Sequence, residues 1–151
     1  MDAQTQALID RLDAAGLWAK LAREFYAEGT YTPTYQGGTT GGTTTYTSQV
    51  GSYVRLGSAV LFQARVEWTN ATGTGEARIS LPFAVANVTS QAFSASLNPS
   101  GVTYSQDFIV AQISPGTQYV AFRSPVSNAA STVVNVEAAG AIVVSGFYWT
   151  E

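Results

Sequence analysis

The stretch "VLFQARVEW" (Val60 to Trp68) sets Val, Phe, Ala, Val and Trp at alternate positions, with Leu61, Gln63, Arg65 and Glu67 between them. Side chains of an extended chain point to opposite faces in turn, so this period of two predicts a half-buried strand with its apolar row inward. The same rhythm recurs in Ile79, Leu81 and Phe83 and in Phe93, Ala95 and Leu97. Further strands are expected around Thr103 to Ile113, Thr117 to Arg123, Thr132 to Glu137 and Ala141 to Trp149. Turn signals separate them at Asn70 to Gly75, Asn98 to Gly101, Ser114 to Gly116, Pro125 to Asn128 and Ala139-Gly140. Seven or eight short strands with such punctuation predict a mainly β fold, an antiparallel β-sandwich or jelly-roll-like domain over residues 29–151.

Upstream the period changes. Residues 1–28 hold eight of the seventeen charges in a chain of 151 residues. Leu8, Leu12, Ala15, Ala19, Ala22 and Tyr26 follow a 4, 3, 4, 3, 4 spacing, which predicts one N-terminal α-helix from Gln4 to Ala27, stopped at Gly29 and bent at Gly16. Leu17, Trp18, Leu21 and Phe25 widen its apolar face. A helix this apolar needs a partner, so Leu8, Leu12, Ala15, Leu17, Trp18, Leu21 and Phe25 are the candidate attachment or oligomerisation residues.

Composition removes whole classes of chemistry. With no cysteine and no histidine, thiol nucleophiles, imidazole bases and nearly all transition-metal sites are gone, and no metal or other cofactor is expected. Seven basic residues and a net charge of −3 argue against a nucleic-acid partner. No apolar run reaches membrane-spanning length, and the acidic, polar start "MDAQTQALID" is unlike a secretory signal, so no membrane insertion and synthesis in the cytoplasm are expected.

The segment Gly37 to Gly42 invites comparison with phosphate-binding loops, but it lacks the following Lys-Ser/Thr pair and the helix N-terminus that receives a phosphate. It reads instead as a mobile corner loop leading into strand-like sequence. Glu67 and Glu76 flank the Asn70 to Gly75 turn and could face each other across a hairpin, the one carboxylate pair suited to glycoside hydrolysis. Ion pairing with Arg65 and Arg78 is the simpler role for them, and the expectation is a protein without catalytic residues. Tyrosines in Thr-rich loops suit a sugar surface, where a ring stacks on the apolar face of a pyranose. Tyr35, Tyr46 and Tyr104 are the candidate ligand-binding residues.

The order "GTYTPTYQGGTTGGTTTYTSQVGSYVRLGSAVLFQARVEW" (Gly29 to Trp68), "ARISLPF" (Ala77 to Phe83) and "VSGFYWTE" (Val144 to Glu151) resembles bacteriophage tail-fibre, head-fibre and spike structural proteins. "LIDRLDAAGLWAKLAREFYAEG" (Leu8 to Gly29) is similar to a helical segment ahead of β-rich domains in other phage structural proteins, with Ala22 in place of the usual Asp. The resemblance implies a trimeric β-sandwich tip behind a helical anchor, in a virion assembled in the host cytoplasm. Tyr53, Arg55, Gly57, Pro82 and Phe83 match the pattern as structural elements. The expected function is a non-enzymatic homotrimeric virion surface protein that attaches to other virion proteins through its N-terminal helix and binds host-surface glycan. The alternative is a purely structural capsid or tail decoration or connector protein without a receptor.

Overall fold

In the computed structural model, which describes residues 2–14, 16–17, 20, 25–88 and 92–151, the strand first read from the sequence runs from Ala59 to Ala71. Among the described residues there is one helix, α1 (Ala3–Ala14), and ten strands. The strands are β1 (Tyr26–Tyr31), β2 (Tyr35–Gly37), β3 (Thr44–Leu56), β4 (Ala59–Ala71), β5 (Ala77–Ser80), β6 (Phe93–Ser100), β7 (Val110–Ile113), β8 (Tyr119–Val126), β9 (Ala129–Val133) and β10 (Gly140–Trp149). The fold is mainly β, and every ladder between these strands is antiparallel.

The strand order β1-β3-β4-β10-β6-β7-β8-β5-β2, with β9 beside β8, describes a sheet that curls over its own core. β6 makes the corner. Its first residues, Phe93 to Ala95, pair with β7, while Ser96 to Ser100 pair with β10. The sheet thereby folds into two layers. Val60, Phe62, Ala64, Val66 and Trp68 of β4 are all buried, as their alternation predicts. They meet Ile79, Leu81, Val85, Ile113, Val120, Phe122 and Val134 of the other layer, along with Ile142, Val144 and Tyr148 of β10. Each larger side chain here contributes roughly 2 kcal/mol by leaving water.

The N-terminal helix departs from expectation. α1 ends at Ala14, and Gly16 stands in the left-handed region at φ 65°, its N–H donating to the carbonyl of Asp13 at 2.9 Å. A glycine in that conformation closes a helix cheaply, because no Cβ opposes it. Tyr26 to Gly29, expected to finish the helix and stop it, instead form β1 against β3. The ladder satisfies their backbone groups, and the tertiary pairing overrides helix propensity. The expected heptad positions Ala15, Ala19 and Ala22 lie outside the described residues.

Other boundaries also move. Asn98 to Ser100, read as a turn, extend β6 against β10 with Ile142 opposite Pro99. Proline is tolerated because β6 has a single neighbour there. Thr103 to Ile109 form a loop rather than the start of β7, and β9 ends at Val133 instead of reaching Glu137.

Candidate functional site

The Gly/Thr segment is not a mobile corner. Gly38 N–H donates to the Glu76 carbonyl at 2.8 Å and Thr39 N–H to the Thr74 carbonyl at 3.0 Å, while Thr74 N–H returns a bond to Thr40 at 3.0 Å. Threonine hydroxyls pair across the same seam, Thr40 with Thr74 at 2.8 Å and Thr43 with Thr72 at 3.1 Å. The glycines are there for space. A Cβ on Gly37 would collide with the backbone of Thr40 and Thr74, and one on Gly42, at φ 70°, with the backbone of Gly73. Two loops, 37–43 and 72–76, interlock through these bonds.

Of the three candidate ligand tyrosines, the structure withdraws two. Tyr35 is 1% exposed and stacks on Trp68 at 3.9 Å, with its hydroxyl accepting from the Glu137 amide at 3.1 Å. Burial pushes its phenol up to about 12, against the opposing effect of that hydrogen bond. Tyr46, half-buried, spends its hydroxyl on the backbone of Tyr35, accepting from the N–H at 2.7 Å and donating to the carbonyl at 3.2 Å. The Tyr35 ring is closed to a sugar, and the Tyr46 hydroxyl is already occupied. Loop-like flanking sequence hid the long-range stack of Tyr35 against β4. Tyr104 is exposed, 37% of its surface facing solvent. Its loop is held from beneath by the buried Ser124, whose hydroxyl accepts from Gln106 N–H at 3.1 Å and donates to the Phe108 carbonyl at 3.2 Å. A bond of 2.7 Å between the Ser105 and Thr132 hydroxyls pins it to β9.

The carboxylates take the simpler role expected of them, ion pairing, and do not meet across a hairpin. β4 pairs with β3 and β10, whereas β5 pairs with β2 and β8. Glu67 bonds Arg65 at 3.1 Å on the open surface. Glu76, with its side chain only 10% exposed, receives Arg78 Nε at 3.0 Å. Arg123 Nη2 lies 2.6 Å from its other oxygen, close enough for an ion pair but not aligned as a hydrogen bond. Arg78 in turn lies over the Tyr119 ring at 4.1 Å. Among the described residues no group of three or more Asp or Glu side chains is placed to hold a metal ion.

The residues that carry the sequence resemblance lie together. Tyr53 meets Phe83 edge-on at 4.9 Å, and Arg55 sits 5.4 Å over the same ring while donating from Nε to the Gly57 carbonyl at 2.7 Å. Their contacts are structural.

The outer face of β1, β3, β4 and β10 carries a feature missed in the sequence. Cross-strand register places Tyr26, Leu56, Ala59 and Trp149 in one row and Glu28, Val54, Leu61 and Phe147 in the next. Tyr26, Leu56, Leu61, Phe147 and Trp149 are between 38% and 52% exposed. The adjoining row, Thr30, Ser52, Gln63 and Ser145, is polar. A shallow groove of about 630 Å³ runs beside it, lined by Glu28, Thr30, Ser52, Val54, Leu61 and Gln63 among others. The signal was Leu61 itself, an apolar residue on the polar side of the alternation, matched by Phe147 and Trp149 in β10.

Of the attachment candidates, Phe25 lies at this same end. Leu8, Leu17 and Phe25 are exposed, Leu12 is half-buried, no residue of α1 is buried, and Ala15, Trp18 and Leu21 lie outside the described residues. Gly57 N–H, in the β3–β4 turn, donates to the Phe25 carbonyl at 2.7 Å, which brings the N-terminal segment to the Ala59 end of β4. The Tyr104 loop and the interlocked threonine loops lie toward the Ala71 end: Thr103 N–H donates to Glu137 Oε1 and Ala71 N–H to the Ala138 carbonyl. Roughly 40 Å of strand separates the ends at 3.3 Å per residue.

A mainly β protein with an N-terminal helix and a curled antiparallel sheet is what these observations define. The fold matches part of the crystal structure of the Dettilon tailspike protein (gp208), with a TM-score of 0.61 and 17% identity. The match covers 82% of this chain and 23% of the tailspike chain. At that identity the likeness is one of fold. No family model matches the sequence, and no curated protein matches it.

Proposed function

We propose that the chain is a non-enzymatic virion surface protein of a phage or phage-like particle, a fibre or spike module that attaches through its N-terminal end and presents a trimeric β domain to host-surface glycan. The observation that carries this reading is the curled sheet shared with a tailspike over 82% of the chain. The polarity of the molecule supports it. The start of β1, where the N-terminal segment enters the sheet, and an apolar row stand at one end, and a braced loop with Tyr104 stands at the other. Glycan contact is assigned to that loop, with the Tyr104 ring as stacking surface and Gln106 and Asp107 as hydrogen-bonding neighbours. The non-enzymatic part is supported by the arginine partners of Glu67 and Glu76. The test is binding of the purified chain to host cells and a glycan array. Tyr104→Ala is expected to lose most of the binding while keeping the fold, and equal binding by that variant overturns the assignment.

The burial of Tyr35 and Tyr46 favours a second reading, a structural decoration or connector protein without a receptor. That reading is accepted if the purified chain binds particles stoichiometrically and binds neither cells nor glycans.

A further inference from the structure

We propose that the apolar end of the outer sheet face, formed by Tyr26, Leu56, Leu61, Phe147 and Trp149, is the surface on which copies of this chain meet. The inference rests on the reading of the chain as an oligomeric spike module and says where that oligomer is made. Exposed side chains of this size, contiguous across four strands, form a patch of several hundred Å², the scale at which a monomer's surface marks an interaction site. With the polar row beside it, the face approaches the roughly 800 Å² per partner of a standard interface. Its composition suits a protein contact, because the cores of such interfaces are aromatic-rich and charge-poor. Glu28 is the one charged residue in the two rows, and its carboxylate accepts a hydrogen bond from the Tyr26 hydroxyl at 2.5 Å. Phe147 and Trp149 pack edge-on at 4.9 Å, so the aromatic surface is already ordered in the single chain.

A second copy, rather than an unrelated partner, follows from continuity. The row begins at Tyr26, directly after Phe25, where the N-terminal segment enters the sheet. Leu8, Leu12 and the residues after them have heptad spacing, a pattern that is self-complementary when helices from identical chains associate. Chains gathered by their helices bring the same sheet row toward a shared axis. A closed cyclic oligomer then covers both surfaces with one contact repeated by symmetry. It also covers β1, an edge strand whose outer backbone groups are otherwise open to pairing with any extended chain.

The test is the mass of the full chain by sedimentation over a wide range of concentration, with Leu61→Glu, Phe147→Glu and, as a control on β9 in the other layer, the exposed Val133→Glu. The expected result is an oligomer for the wild type and Val133→Glu, and monomer for the two face variants, with the β circular-dichroism spectrum kept. A folded face variant with undiminished mass overturns this interface and leaves the spike reading standing. A wild type that is monomeric throughout overturns both this interface and the trimer. Because the chain has no cysteine, Leu61→Cys supplies a readout that needs no disruptive charge. Its thiol is expected to resist a maleimide when concentrated and to react on dilution, while Val133→Cys, on β9, reacts in both conditions. Rapid labelling of Leu61→Cys in the assembled protein overturns the proposal.

Discussion

Single residues here are governed by fit, and the glycines rank themselves by what surrounds them. At Gly37 a side chain would press on backbone, which cannot yield, so Gly37→Ala is expected to cost about 2 kcal/mol or more. At Gly51 a Cβ would come 2.6 Å from Tyr31 Cδ1, and the ring must shift while its buried hydroxyl has no hydrogen-bond partner to guide it. Gly51→Ala is expected to cost about 1–3 kcal/mol. Gly41, with nothing within 4 Å, is expected to accept alanine within about 0.5 kcal/mol. Urea denaturation of the three variants checks the order, and an equal cost at Gly41 and Gly37 refutes the interlock. Phenols supply a second prediction. Burial pushes Tyr35 and Tyr148 up to about 12 from an ordinary value of 10.0, and raises Tyr31 further. Above pH 10 the unfolded chain sheds protons that the folded chain retains. Stability is therefore whole below pH 10 and falls as pH climbs toward 12. Tyrosinate absorbance should show these three rings ionising together with unfolding rather than before it.

At the scale of elements, the Gly37 to Gly42 loop expected to be mobile is bonded to the 72–76 turn, and amide exchange distinguishes the two descriptions. Gly38, Thr39, Thr72 and Thr74 each donate a backbone bond across or within the seam, and their amides are expected to exchange at rates comparable to β4, far slower than Gly41. Exchange at the rate of an open loop would return the segment to a plain corner. The helix behaves oppositely. α1 is capped by Asp2, whose Oδ1 accepts from Thr5 N–H at 2.7 Å, but it buries nothing in the single chain. A helix of 12 residues is marginal in water without tertiary contacts. Its amides are expected to exchange quickly in dilute protein and to gain protection as concentration rises. The β4 alternation was legible in the sequence because side-chain direction is a property of the local backbone. The change to strand at Tyr26 was not, because Tyr26 to Gly29 answer to β3, a strand more than twenty residues away in the chain.

For the whole molecule, one long sheet sets the start of β1 and the Tyr104 loop at opposite ends. An oligomer built on the outer face makes stability depend on mass action. The melting temperature of the wild type is expected to rise with protein concentration, and that of Leu61→Glu to stay constant. Differential scanning fluorimetry across a dilution series measures it, and a flat wild-type curve contradicts the shared interface.

What is local could be read along the chain: the period of two in Val60 to Trp68, the change of composition after residue 28, and the absence of cysteine and histidine. Those features depend on backbone geometry and chemical inventory, which a linear order carries in full. What is long-range was decided by packing. Tyr35 belongs to the core because Trp68 stacks on it, Gly37 must be glycine because Thr74 returns to that point, and Leu61 becomes part of a surface because Val54 and Phe147 arrive beside it. Each depends on which strands become neighbours, and that choice is made by the whole core at once.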